Sequence, residues 1–258
     1  MLPASEIKLI RSLSDKKFRD RTGLFIVEGE KLVDEAGQSG FIVEKIYRRD
    51  DIGDAAMQRI SATASGSPVL ALVRKPLDIR LETEDNYRDA LGGSGLFIAL
   101  DSIRDPGNLG TILRIADWFN VKAVFASPDT VDIFNPKVVQ ATMGAIFRVK
   151  FHYASIPMLC DIAKDCGGEV YGTFLDGCNI YSQGLECGDE RPSVIVIGNE
   201  SNGISSEVGA KVSGRLLIPR FKENGSESLN AAIATAITVA EFRRRSLDSG
   251  LLCLIEIQ

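Results

Sequence analysis

Three short polar segments hold the residues best suited to chemistry. The first, Ala99 to Phe119, carries Asn108 at a helix start, then Gly110 and Arg114. The last two are four residues apart and so share a helical face, distinct from the Leu109/Leu113 stripe. A guanidinium there can grip a phosphate with its planar fork; equally, Asn108 can simply cap the helix and Arg114 lie in solvent. The second segment, Val194 to Ile204, drives an apolar strand into Gly198, Asn199 and Glu200, then Gly203. A carboxylate at a strand's carboxyl end suits hydrogen bonding to backbone or ligand, although Asn202-Gly203 alone reads as a plain turn. The third, Leu216 to Arg245, is a strand ending in Ile218-Pro219, a polar loop, and a long helix opened by Ser228, Leu229 and Asn230. Ser228 is the expected N-cap, and Asn230, a poor interior helix former, is expected to aim its amide at the same loops.

These segments need a scaffold that gathers them. Short β-rich runs at 96–101, 122–127, 169–175, 193–198 and 215–219 alternate with helical periodicity, which predicts a largely parallel sheet covered by helices. Such sheets bind ligands beyond the carboxyl ends of their strands, where all three segments fall. Apolar stripes at Leu109, Ile112, Leu113, Ala116 and Phe119, and at Ala232, Ile233, Ala236 and Ile237, are expected to pack on the sheet. No Walker loop or Rossmann glycine fingerprint follows any strand, which disfavours an adenine-nucleotide enzyme of the doubly wound class. Residues 1–80 read as a separate small unit of mixed helices and strands, 81–95 as an acidic, Gly/Ser-ended linker, 96–246 as the main domain, and 247–258 as a tail.

The chain has 258 residues and a net charge of -5, which argues against indiscriminate coating of nucleic acid. Between Lys8 and Arg21, however, six basic residues face only Asp15 and Asp20, so Lys16, Lys17, Arg19 and Arg21 form either a local phosphate-binding patch or a solvated helix face. Five cysteines without a CxxC pair suit free thiols, and a single histidine, His152, disfavours a zinc site or a Ser-His-Asp triad. No apolar run reaches membrane-spanning length, and no secretory pattern opens the chain, so a cytoplasmic location without membrane or metal partners is expected.

In order and separation, the three segments resemble the SpoU/TrmH family of SPOUT RNA 2′-O-ribose methyltransferases. The matching motifs are N-x-G-x-x-x-R (Asn108, Gly110, Arg114), G-N-E-x-x-G (Gly198, Asn199, Glu200, Gly203) and I-P…S-L-N (Ile218, Pro219, Ser228, Leu229, Asn230). Ser12 to Ala36 is similar to the family's amino-terminal, ribosomal-protein-like RNA-binding domain. The resemblance implies an α/β fold with a trefoil knot, a homodimer, and S-adenosylmethionine as cofactor. It further implies cofactor contacts from Thr173, Phe174, Leu175, Gly198, Asn199, Gly203, Ile218, Pro219 and Leu229, and catalytic roles for Arg114, Asn108, Glu200, Ser228 and Asn230. The two-domain layout favours ribosomal over transfer RNA, and a non-catalytic RNA-binding protein on the same fold is the rival. Eight residues separate Pro219 from Ser228, about two more than the family pattern, and Arg220 replaces the commoner methionine.

Overall fold

In a computed structural model of the protein, the described residues are 2–62, 66–182, 185, 191–222 and 228–248. The amino-terminal part comprises α1 (Ala4–Ser12), α2 (Lys16–Thr22), β1 (Leu24–Glu28), α3 (Glu30–Gln38), β2 (Val43–Arg48), α4 (Arg49–Ile52), α5 (Asp54–Ile60) and β3 (Val69–Arg74). Its three strands form an antiparallel sheet in the order β1-β3-β2. The central strand, Val-Leu-Ala-Leu-Val-Arg, is buried on both faces, which is why it reads as a continuous apolar run.

The remainder comprises α6 (Glu84–Leu91), β4 (Gly95–Leu100), α7 (Pro106–Trp118), β5 (Ala123–Ala126), α8 (Pro136–Thr142), β6 (Phe151–Tyr153), α9 (Ile156–Asp165), β7 (Glu169–Asn179), β8 (Pro192–Ile197), α10 (Ser206–Gly209), β9 (Gly214–Leu217) and α11 (Ala231–Asp248). Six strands form one sheet in the order β6-β5-β4-β8-β7-β9, and every neighbouring pair is parallel. The expected parallel α/β architecture is therefore present. Strand order turns back at the β4/β8 junction, so the loops after these adjacent strands lie where doubly wound sheets take ligands.

Three sequence expectations need correction. First, residues 81–95 are not a free tether. They carry α6, capped by Thr83, with Tyr87 and Leu91 buried and the Tyr87 hydroxyl accepting from Ser155 N at 2.7 Å. Nor does the amino-terminal unit stand apart: Phe25, Val27 and Leu32 share one apolar core with Leu96, Phe134 and Val138, and the Phe25 and Phe134 rings lie 4.7 Å apart.

Second, Arg19 is not a surface cation. It is 2% exposed, paired with Asp132 at 2.7 Å, and donates to the carbonyls of Leu13 and Ser14. It thereby ties the amino-terminal unit to the main domain, and it has no donor left facing solvent for RNA. Of its companions, Lys17 and Arg21 are exposed, with Arg21 lying over the Phe18 ring, and Lys16 is exposed but paired with Asp20.

Third, α11 buries a different stripe from the one expected. Ala231, Ala232, Thr235, Thr238, Val239 and Phe242 face inward, whereas Ile233 is 51% exposed and Ile237 half-buried. The α7 stripe packs as expected, with Leu109, Ile112, Leu113 and Ala116 buried. No helix among the described residues is long and apolar enough to cross a membrane.

Candidate active site

The β4 strand ends at Leu100, and the turn that follows through Asp101 forces Ser102 into the left-handed region at φ 63°. That conformation is uncommon for serine and needs outside support. Support comes from both sides. Ser127 Oγ accepts from Ser102 N at 2.8 Å, and the Ser102 carbonyl accepts from Asn199 Nδ2 at 2.7 Å. Asp101 Oδ2 accepts from Ser205 N at 2.7 Å, so the loop after β4 and the loop after β8 are fastened together twice.

The β8 loop closes on itself. Asn199 and Gly203 exchange two backbone hydrogen bonds of 2.9 Å, and Asn199 Oδ1 accepts from the amides of Ser201 and Asn202. Gly203 supplies the left-handed corner at φ +67°, and a Cβ at Gly198 would come within 2.2 Å of the Gly203 backbone. Both glycines are thus dictated by the fold-back of this loop.

Glu200 is the hub of the arrangement. Its carboxylate accepts from the amides of Arg104 (3.3 Å) and Asp105 (3.1 Å) and from Asn108 Nδ2 (2.9 Å). Burial pushes this carboxyl's pKa up, but the hydrogen bonds from Asn108 and the two amides outweigh it and hold it below the ordinary glutamate value. An ionised carboxylate can only accept, so Asn108 must present its NH2 to Glu200 and its oxygen elsewhere. That oxygen accepts from Asn230 Nδ2 at 2.8 Å. Asn230 in turn points its oxygen at Ala232 N (2.9 Å) and Ile233 N (3.2 Å). The relay Glu200–Asn108–Asn230 therefore joins all three segments, and the charge at one end fixes the orientation of both amides.

Other residues fall out differently. Asp105, not Asn108, caps α7, accepting from Asn108 N at 2.8 Å. The cap of α11 is Asn230; Ser228 is exposed and lies before the helix. Gly110 is buried against α8, where a Cβ would come within 2.4 Å of Ala141 Cβ, so it serves helix packing. Arg114 is exposed and makes no hydrogen bond or ion pair with any described residue. It lies about 9 Å along the helix axis from Asn108 and about 120° around it, apart from the relay.

The residues expected around a cofactor cluster at the far parts of β7, β8 and β9. Thr173 and Cys178 both register with Leu216 of β9, so residues 174–177 bulge from the ladder, and β7 continues beyond the expected end at 175 to Asn179. Thr173 Oγ1 donates to the Val196 carbonyl at 3.3 Å. The Arg215 guanidinium lies 3.5 Å over the Phe174 ring. Leu175 and Leu229 are 75% and 49% exposed, and Ile218 and Pro219 half-buried. Residues 223–227 of the long loop lie outside the described residues.

Sequence reasoning missed Asp101, Ser102, Arg104 and Asp105, which with Pro106, Asn199 to Gly203 and Ser205 line an open cleft of about 680 Å³. The available signal was a polar run immediately after an apolar strand.

The SpoU rRNA Methylase family matches residues 95–240, and an MRM3-like substrate binding domain matches residues 4–78. The chain belongs to the SpoU rRNA methylase family. It is 28% identical over 253 residues to a Bacillus subtilis 23S rRNA (guanosine(2553)-2′-O)-methyltransferase, spanning 92% of this chain and 96% of that one. Among solved structures, a protein from Porphyromonas gingivalis assigned to the TrmH family of RNA methyltransferases aligns with a TM-score of 0.81 at 36% identity, covering 95% of this chain and 100% of that one. A Sinorhizobium meliloti rRNA methyltransferase with bound AdoMet aligns with a TM-score of 0.82 at 28% identity, covering 95% and 97%. The parallel sheet and the amino-terminal substrate-binding unit agree with what the motifs implied.

Proposed function

We propose that this SpoU-family chain transfers a methyl group from S-adenosylmethionine to a ribose 2′-hydroxyl of ribosomal RNA. The observation that carries this reading is the Glu200–Asn108–Asn230 relay, which brings the three motif segments to one place at the carboxyl ends of β4 and β8. Support for the substrate class comes from the rRNA methyltransferases that the chain resembles over most of its length.

The residues present fit the cofactor. Leu175, Leu229 and Ile218 offer apolar surface and the β8 loop offers a glycine-cornered backbone at Gly198, a combination that suits a flat purine held between side chains and main chain. When bound there, S-adenosylmethionine supplies an electrophilic methyl on a sulfonium. The protein's share is to place the ribose oxygen in line and exclude water, because positioning accounts for much of the barrier reduction. Glu200, ionised and saturated with donors, is an anchor and not the proton acceptor. Arg114, with its donors free, orients an RNA phosphate and the hydroxyl; a guanidinium is too strongly basic to take the proton itself.

The separation of Arg114 from the relay supports a homodimer in which each arginine serves its partner's site. Trp118, one turn beyond Arg114 on the same face, is 85% exposed, and Ile233 on the neighbouring α11 and Leu229 just before it expose apolar surface. The strand order and the return of α11 onto α7 support the family's knotted chain path. The odd number of cysteines supports a reducing, cytoplasmic location.

Mapping 2′-O-methyl groups in ribosomal and transfer RNA from cells with and without the protein tests the reading. Loss of methylation at a ribosomal position is expected; unchanged ribosomal RNA would refute it.

A further inference from the structure

Among the described residues that line the cleft beside the relay, one is a cation, and its setting is unusual. Arg104 has a side chain 64% exposed, yet its guanidinium is fixed by Asp129 at 2.8 Å. Asp129 is itself held by the hydroxyls of Ser102 and Ser127, both donating at 2.6 Å. Those hydrogen bonds outweigh the upward push of burial and keep the carboxylate's pKa below its ordinary value. The Arg104 amide donates to Glu200, so the same carboxylate that orders the relay also fixes where this arginine starts.

The cleft wall also carries Asp101, Asp105 and Glu200. All three carboxyl groups accept from backbone amides. A phosphate placed there would meet three carboxylates and an arginine already neutralised by a fourth. A neutral nucleobase would meet no such repulsion, and a guanidinium with one edge tied to Asp129 still has donors for a pair of acceptors. Guanine presents that pair at O6 and N7, the commonest specific partner of arginine, and unstacked RNA bases are read at this edge. A cleft of about 680 Å³ is within the size range of small-ligand sites.

We propose that this cleft receives an unstacked guanine of the substrate RNA and that Arg104, oriented by Asp129, reads its O6/N7 edge. This rests on the reading of the chain as an RNA ribose methyltransferase, and it adds a selecting residue outside the motifs that define that activity.

The test uses the full chain and in vitro transcripts tiling the ribosomal RNA, made with GTP or with 7-deaza-GTP, which lacks the N7 acceptor. Affinity is measured by filter binding without the cofactor. For the wild-type chain, the best-bound transcript should lose roughly tenfold in affinity on 7-deaza substitution. Arg104→Ala should bind the GTP transcript about as weakly as the wild type binds the 7-deaza one, and should no longer distinguish the two. Arg104→Lys, which keeps the charge but loses the fork, should fail to distinguish them as well. Asp129→Asn should retain RNA binding, lose the discrimination, and show a steeper salt dependence as the arginine is released.

Equal 7-deaza penalties in wild type and Arg104→Ala, or no penalty in either, would overturn the proposal. S-adenosylmethionine calorimetry and methyl transfer to the same transcripts report separately on the parent reading. Transfer without guanine coupling sinks only the role of Arg104, and coupling without transfer sinks only the activity.

Discussion

Asn108 is 7% exposed, and both ends of its amide are spoken for. The consequence is that Glu200 acts through its charge. Glu200→Gln could turn either end towards the four donors of Arg104, Asp105, Asn108 and Asn199 and would leave at least one unsatisfied, at a cost of about 1–3 kcal/mol. Turnover should fall while the fold persists, as steady-state kinetics alongside thermal melting would show. The pH dependence follows from the same carboxylate. Its folded pKa lies below the ordinary glutamate value, so its contribution to stability is complete above that value and is lost as pH falls through the folded pKa. The melting-temperature gap between wild type and Glu200→Gln should therefore be constant at neutral pH and close only in acid. Arg114→Ala should lower methyl transfer roughly 10²–10⁴-fold with cofactor affinity unchanged by calorimetry; near-normal turnover would remove it from the mechanism. At this scale the sequence singled out Asn108, Glu200 and Asn230, which the structure joins by hydrogen bonds, but it left open what each touches. Partners 92 and 122 residues apart are set by the sheet order, which no local pattern encodes.

Among the elements, β4, β5, β8 and β9 sit within two residues of the apolar runs that announced them, and β4, β5 and β8 do so because the runs are almost wholly buried. The three-residue edge strand β6 gave no such signal, and β7 outran its apolar part because residues 174–177 bulge out of the ladder. The α11 stripe was misread for a physical reason. Threonines at 235 and 238 bury their hydroxyls by donating to the carbonyls of Ala231 and Ala234, so the inward face looks polar in sequence. Gly110 belongs at this scale too. Gly110→Ala places a methyl against Ala141 and must part α7 from α8, costing about 1–3 kcal/mol. Urea denaturation would measure that loss, and a neutral substitution would mean that the helices are not in contact there. As a test of the proposed homodimer, Trp118→Glu, on the exposed face of α7, should leave the melting curve of the subunit intact but shift sedimentation towards monomer and abolish transfer.

For the molecule as a whole, the apparent linker misled because its acidic and glycine residues surround a buried Tyr87 and Leu91 that do the packing. The tie between the two parts of the chain is likewise invisible locally, since Arg19 and Asp132 are 113 residues apart. Arg19→Met leaves Asp132 buried without its counter-ion and should cost about 3–5 kcal/mol in equilibrium unfolding, whereas Arg19→Met with Asp132→Leu should recover most of it. Two separate unfolding transitions in the wild type would contradict a shared core. One consequence concerns choice of substrate. With the amino-terminal unit locked by Arg19, Phe25 and Phe134, the span from this unit, which matches a substrate binding domain, to the candidate site is that of a fixed caliper. An RNA whose two points of contact are a few base pairs too close or too far apart cannot be accommodated by a swing of the protein, so distance itself becomes a criterion for which ribose is marked.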